Sequence, residues 1–417
     1  MARILVYTSP AAGHLFPLVP GLLELQRRGH DVHLRIGERL LGVARDAGID
    51  AHPTDPAIDA IEVDDYTAKR DVDKLRRGLG NLMVRGPLER VDLDRAIAEV
   101  DPDLIVVDTN SYGATVAAQA SGRPWAISLP SLAPLPGKGI PPYGLGMAPA
   151  RNALERVRDR VLWRLLVRQY AKAMLPRLNA LRADAGLPPL TSPVDHVLGP
   201  DRLLVLTGDP LEYPRPDVPP NVRFVGAQLW DPPAEAPAWL DEPGDPWVLV
   251  TTSTEYQADE ELARVAVEAL RDEPVRVLLT LADAYDSADL PPAANVRVER
   301  FVPHGPVLER AAAVVSHSGM GIVQKAVAAG VPIAAVPFGR DQPEVARRVV
   351  EAGAGVQLRI KHLSPERLRA TVREALAMRP SAKAASARML ASGGGARFAD
   401  AVEELANGDR AAAPAVA

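Results

Sequence analysis

Residues 313–343 read AVVSHSGMGIVQKAVAAGVPIAAVPFGRDQP, and the succession of textures in this stretch decides the fold. It predicts a buried strand at 313–316, a tight turn at 317–321 and an apolar helix at about 322–329. A Gly-Val-Pro break, a second strand at 333–336 and a polar loop at 338–342 follow. A strand that feeds a glycine-bearing turn and then a helix makes an anion site. The first helical N–H groups lack intrahelical partners, and the helix dipole favours negative charge there. Gly319 and Gly321, on either side of Met320, let a phosphate come close to the backbone. His317 adds a donor. Asp341 and Gln342 lie just past the next strand, at the end of a parallel sheet where ligands collect. An anion cradle beside an acid–amide pair suits a ligand that is part phosphate and part polyol.

Outward from this stretch, the 417-residue chain is long for one core and suits two domains. Its 47% hydrophobic and 24% charged residues are ordinary for a globular protein. A net charge of −5 gives no reason to expect nucleic acid as a partner. The absence of cysteine excludes disulfides and thiolate metal sites. The start, MARILVYTSP, reads as a first strand rather than a signal peptide. No apolar run approaches a span of about 20 residues, so no stable membrane insertion is expected and the cytoplasm is the default location.

The halves share one rhythm. Strands are expected at 3–8, 31–36, 103–108, 125–129 and, last of the first half, 203–207. Residues 53–90 lack a clean period and are read as loops and short helices. Residues 130–149 form a Pro/Gly-rich loop, and 150–184 a long helix. On that helix Leu154, Val157, Val161, Leu165 and Met174 make an apolar stripe. It reads as core-facing, with Arg156, Arg160, Arg164, Arg168 and Lys172 on a solvated face; the rival reading is a surface that touches a membrane or an acidic partner. Prolines cluster from 209 to 246, the best domain boundary in the chain. The second half predicts strands at 247–252, 275–280, 296–299, 313–316, 332–336 and 355–358. The expected organisation is an N-terminal domain over 1–208, a linker over 209–246, a C-terminal domain over 247–391, a helix over 392–408 and a disordered tail over 409–417. Strands alternating with helices imply two doubly wound parallel sheets of α/β class.

Polar residues at the carboxyl ends of the strands are the candidates for chemistry. The first half offers Ser9 and His14 after the first strand, and Asp108, Asn110 and Ser111 after the run LIVV. The second offers Thr252, Ser253 and Thr254, then His304, His317 and the Asp341–Gln342 pair. A carboxylate bonded to one imidazole nitrogen fixes the tautomer and supports the imidazolium formed when the other nitrogen takes a proton. Asp108 is placed to do this for His14. The pairs DPD at 101–103 and DLD at 92–94 read as loop and helix-end charges, and no His or Asp cluster has zinc spacing. No metal and no cofactor are expected.

The segments SPAAGHLFP, TTST (251–254), FVPHGPVL (301–308) and HSGMG…AAGVPIAAVPFGRDQ (317–342) resemble the nucleotide-sugar glycosyltransferases of GT-B fold. The nearest branch is the bacterial natural-product (macrolide and antibiotic) group of the UDP-glycosyltransferase-like family. The resemblance implies two Rossmann-like domains facing across a cleft, with the C-terminal helix returning to the N-terminal domain. It implies inverting transfer from a nucleoside-diphosphate sugar to a small-molecule aglycone, by a monomer or homodimer. His14 matches the base and Asp108 its partner. Thr252 and Ser253 match the diphosphate loop, and Phe301 and the Val302 backbone the nucleotide-base site. His317, Gly319, Met320 and Gly321 match the pyrophosphate site, Asp341 and Gln342 the sugar-binding pair. Ser9, Leu132, Met147 and Trp163 fall where an apolar, flat acceptor would bind. Three positions depart from the pattern. Ile322 replaces a hydroxyl residue, Phe301 a tryptophan, and Lys325 a ribose-binding glutamate. Lysine accepts no hydrogen bond, which favours a dTDP-deoxysugar over a UDP-sugar. The alternatives on the same fold are a sugar-nucleotide epimerase and a non-catalytic auxiliary protein.

Overall fold

In the computed structural model, residues 1–253, 260–286 and 288–408 are described. Thr254 and the expected disordered tail at 409–417 lie outside them. The N-terminal sheet comprises β1 (Arg3–Tyr7), β2 (Asp31–Ile36), β3 (Asp50–Pro53), β4 (Leu104–Asp108), β5 (Trp125–Leu129), β6 (Arg202–Val205) and β7 (Val222–Phe224). Its order is β3-β2-β1-β4-β5-β6-β7, and the pairings are parallel. The C-terminal sheet holds β8 (Trp247–Thr251), β9 (Arg276–Thr280), β10 (Val296–Glu299), β11 (Ala311–Ser316), β12 (Ile333–Ala335) and β13 (Gly355–Gln357). Its order is β10-β9-β8-β11-β12-β13, again parallel. Central strands such as β4, β5 and β8 are buried at every residue, because helices cover both faces. These are two Rossmann-like lobes, as the alternation of strands and helices predicts.

Four details differ from the sequence expectation. Residues 71–100 are not irregular: Asp71–Val100 is one helix that carries Pro87 inside it. Its period is hidden because it buries polar groups along with apolar ones. Glu89 and Asp92 are 1% and 3% exposed, and Tyr7 Oη donates to Asp92 Oδ2 at 3.1 Å. The DLD acids at 92–94 are therefore helical, not loop charges. The N-terminal sheet does not stop at β6, because β7 arises from within the proline-rich 209–246 region. A further helix, Arg379–Ala391, follows Pro365–Ala377 directly, with a proline in its first turn, where the missing N–H costs nothing.

The fourth difference concerns the helix Ala153–Asp184. Leu154, Val157, Val161 and Leu165 are 83%, 53%, 48% and 52% exposed, and of the expected stripe only Met174 is buried. The face that packs inward carries Asp159, Trp163, Leu178 and Leu181 instead. Periodicity ranks faces by hydropathy, and here Arg and Leu share the outer face. Tertiary contact chose the face whose Trp163 Nε1 donates to Ile140 O at 3.0 Å.

The C-terminal helix Gly395–Ala406 returns to the N-terminal lobe. Phe398 is fully buried in the core built on Val19, Leu22 and Leu25. Gly21 makes this possible, since a Cβ there would stand 2.3 Å from the Phe398 ring. Arg28 then pairs with Asp400 and Glu403, each at 2.7 Å. Among the described residues no helix is long and apolar enough to cross a membrane.

Candidate active site

In each sheet the strand order turns back on itself beside the first strand, between β1 and β4 in one and β8 and β11 in the other. Ligands of open parallel sheets bind above such points. The N-terminal switch point carries side-chain chemistry. The chain leaves β1 and enters the short helix Ala12–Leu15, which holds His14. β4, paired with β1, ends at Asp108. The Asp108 carboxylate is 1% exposed, and His14 Nδ1 lies 2.7 Å from its Oδ2. Its Oδ1 accepts from Ser9 Oγ and from the Asn110 backbone N–H, both at 2.9 Å. These hydrogen bonds satisfy the buried carboxylate. It requires a proton on His14 Nδ1, which leaves Nε2 as the basic nitrogen. Asn110 Nδ2 sits 3.2 Å from that nitrogen, where a hydroxyl donor would otherwise sit.

A buried acid supports the loop from behind. Glu89 accepts from the Gly113 N–H at 2.9 Å, at the start of the helix Tyr112–Ala120. Burial pushes its carboxyl up to about 8, while the Gly113 N–H pulls the other way. Near neutral pH it is therefore largely a neutral acid.

The C-terminal switch point is built mostly of backbone. β11 ends at Ser316, whose Oγ accepts from the Ser318 N–H at 3.0 Å. Ser318 takes φ 75°, and Gly319 caps the helix Met320–Ala328. A Cβ on Gly319 would stand 2.4 Å from His317 Nε2, so glycine alone lets the imidazole lie against the helix start. The N–H groups of Met320, Gly321 and Ile322 precede the first intrahelical bond of this helix, which Val323 makes to Gly319 O at 3.1 Å. A Cβ on Gly321 would meet nothing within 4 Å, so the cradle is open there. Thr252 and Ser253 follow β8, beside this turn, and both are 4% exposed. Thr252 Oγ1 already donates to the carbonyls of Thr280 and Leu281 at 3.4 and 3.3 Å, which leaves its backbone as the part suited to a ligand. Phe301 is 55% exposed, whereas the Val302 side chain is in the core.

Contacts between the lobes join loops that lie beside the two switch points. Asp341 precedes the helix Gln342–Glu351 and accepts from Ser131 Oγ, after β5, at 2.5 Å. Tyr143 hydrogen-bonds the same serine, and burial followed by the nearby Asp341 charge pushes its phenol well up. Arg340 forks onto Asp65 at 2.6 and 3.0 Å. Gln342 Oε1 accepts from the Phe338 and Gly339 N–H groups at 2.8 and 3.1 Å, so its carbonyl end shapes the loop that presents Asp341.

Several candidate residues take other roles. Ser9 Oγ donates to Asp108 and so helps to position that carboxylate. Leu132 is 0% exposed and belongs to the C-terminal lobe's core, so it does not line a pocket. Trp163 is 9% exposed and pins the 130–149 loop through Ile140, while Met147 in that loop is half-buried. The Met320 and Ile322 side chains are core, leaving only their N–H groups for a ligand. Lys325 Nζ is 2.5 Å from Asp231 Oδ1, and Asp231 Oδ2 accepts from the Gly305 N–H at 3.1 Å. The sequence carries no local signal for Ser131, Tyr143 or Asp231. Each lies in a Pro-rich loop without a period, and each matters only through a partner far away in the chain.

The sequence model of the Erythromycin biosynthesis protein CIII-like, C-terminal domain matches residues 265–405. The 4'-demethylrebeccamycin synthase of Lentzea aerocolonigenes is 32% identical over 388 residues, covering 90% of this chain and 92% of the relative. The demethyllactenocin mycarosyltransferase of Streptomyces fradiae is 28% identical over 435 residues, covering 97% and 87%. Among solved structures, the glycotransferase of kitacinnamycin superposes with a TM-score of 0.75 at 25% identity, over 97% of this chain and 98% of that one. With two Rossmann-like lobes and a relative matched along nearly its whole length, the chain belongs to the antibiotic-biosynthesis glycosyltransferases of GT-B fold.

Proposed function

We propose that the protein transfers a sugar, with inversion at the anomeric carbon, from a dTDP-deoxysugar to a hydroxyl of an apolar natural-product aglycone. The observation that carries this reading is the His14–Asp108 pair, 2.7 Å apart at the N-terminal switch point. His14 Nε2 takes the proton of the acceptor hydroxyl as its oxygen attacks the anomeric carbon. The bond from that carbon to the diphosphate breaks, and the leaving group gains charge. His317 and the N–H groups of Met320, Gly321 and Ile322 stabilise it, and the loss of one such donor typically costs about 3 kcal/mol of barrier. Asp341 and Gln342 hold the sugar, and Phe301 packs on the base. No step requires a metal.

The dTDP preference rests on Lys325, whose ammonium is held by Asp231. No carboxylate stands at that helix position to accept from two ribose hydroxyls, and deoxyribose presents fewer of them. The apolar acceptor rests on the 130–149 loop with Met147 and on the proximity of that loop to Asp341 through Ser131.

The test is to incubate the protein with dTDP- and UDP-sugars, with and without a panel of polyketide and aromatic aglycones. Acceptor-dependent release of dTDP, with the opposite anomeric configuration in the product, is expected. Isomerised nucleotide sugar without acceptor would instead mark an epimerase. Absence of turnover with every pair would mark an auxiliary protein.

A further inference from the structure

Two strands of the N-terminal sheet open with the same three-residue pattern. β2 begins Asp31-Val-His33 and β3 begins Asp50-Ala-His52. Alternation along a strand puts the acid and the imidazole of each pattern on one face, with the middle residue on the other. Val32 and Ala51 are accordingly buried at 2% each. The strands pair in parallel with His33 directly opposite Asp50, so the two patterns interleave on the outward face. His33 Nδ1 lies 2.8 Å from Asp50 Oδ2, and His52 Nε2 lies 3.2 Å from Asp50 Oδ1. The far nitrogen of His33, Nε2, lies 3.1 Å from Asp31 Oδ2. One potential ligand atom from each of His33, Asp50 and His52 falls within 4.8 Å of the others.

We propose that His33 Nδ1, an Asp50 oxygen and His52 Nε2 form a structural site for a divalent transition metal, zinc being the best match, with water completing the coordination. Two imidazoles and one carboxylate suit zinc, whereas calcium and magnesium take oxygen ligands. A tetrahedral zinc with ligands at about 2.0–2.2 Å needs donor atoms roughly 3.3–3.5 Å apart, so the His33–Asp50 and His52–Asp50 pairs, now 2.8 and 3.2 Å, widen slightly while the overall spread, within 4.8 Å, closes. Asp31 completes the arrangement from outside. It accepts from His33 Nε2–H, which fixes the tautomer that offers Nδ1 to the metal, as carboxylate–histidine–metal chains do. The sequence shows no zinc spacing because the donors come from two strands, His33 and Asp50 being 17 positions apart.

The location sets the role. All four residues lie on β2 and β3, at one side of the sheet, whereas His14 follows β1 and Asp108 ends β4, nearer its middle. The role assigned to the metal is therefore structural. It clamps β3, the edge strand of its sheet, to β2. Metal binding must displace protons, so it weakens in acid.

The full chain, stripped with EDTA and desalted, is titrated with Zn²⁺ by calorimetry, and its unfolding temperature is measured with and without the ion. One Zn²⁺ per chain is expected to bind at this site, with a rise in unfolding temperature that Mg²⁺ does not give. His52→Ala, at a side chain 47% exposed, is expected to weaken binding at least tenfold and abolish the rise. Asp31→Asn is expected to weaken binding about tenfold while keeping the stoichiometry. Metal-free unfolding temperatures of the variants should match the parent, which separates ligand loss from misfolding. Absence of zinc binding, or binding that His33→Ala and His52→Ala leave unchanged, would overturn the site. Equal binding of Mg²⁺ would overturn the donor-set argument.

Discussion

The two switch points of this protein are topologically alike and chemically unlike. The N-terminal one depends on side chains brought from 94 residues apart, His14 and Asp108, with Ser9 and Asn110 completing the set. The C-terminal one depends on backbone N–H groups from one contiguous turn, with His317 laid against Gly319. A side-chain site fails when one atom type is replaced. A backbone cradle survives most substitutions and fails only where the chain path itself changes.

Substitutions can break this contrast at either end. The largest effect is expected for His14→Ala, which removes the basic nitrogen. kcat should fall about 10²- to 10⁴-fold with dTDP affinity unchanged, as measured by initial rates beside nucleotide titration. Unimpaired turnover would remove His14 from the base role. Next comes Gly319→Ala, whose Cβ would stand 2.4 Å from His317 Nε2 and must displace the ring. Donor affinity should weaken about 10- to 100-fold, while Gly321→Ala, facing open space, serves as the milder control.

The support beneath the N-terminal site gives a smaller, pH-dependent effect. Glu89 is pushed from 4.5 to about 8 by burial, so folding favours its protonated form. The folded state then binds more protons than the unfolded one between those values, and stability falls as pH rises through that window. The slope contributed is at most about 1.4 kcal/mol per pH unit. Glu89→Gln should flatten this decline in urea-unfolding free energies measured from pH 5 to 8, and an unaltered slope would exclude Glu89 as its source. The smallest effect is expected for Ser131→Ala, which deletes one hydrogen bond between the lobes at Asp341. A loss of about 1 kcal/mol, roughly fivefold in kcat/KM, is expected. It should fall on donor and acceptor together, because the bond joins the halves that bind them.

The same contrast governs what could be read from the sequence. The backbone cradle at 316–323 was legible because its strand, glycine turn and helix are consecutive, and each carries a local signature. His14 and Asp108 were legible as polar residues at strand ends, since alternation of strands and helices fixes which ends share a sheet edge. The acceptor side was less legible. Leu132 fits an apolar pocket by type but fills a core, and the outward stripe of Leu154, Val157, Val161 and Leu165 has the period of a buried face.

By itself the sequence left out β3 and β7 but determined two parallel sheets, most of their strands and the polar residues at their carboxyl edges. Those follow from hydrophobic period, glycine and proline placement, and the handedness of crossovers, all of which act over short distances along the chain. Tertiary structure alone decided which face of Ala153–Asp184 turns inward, that Ser131 and Tyr143 reach Asp341, and that Lys325 is held by Asp231. It also decided that two separate D-x-H patterns share one patch. Such contacts join residues whose own neighbourhoods do not favour one partner over another, so they are set only when the packed sheets bring the loops together.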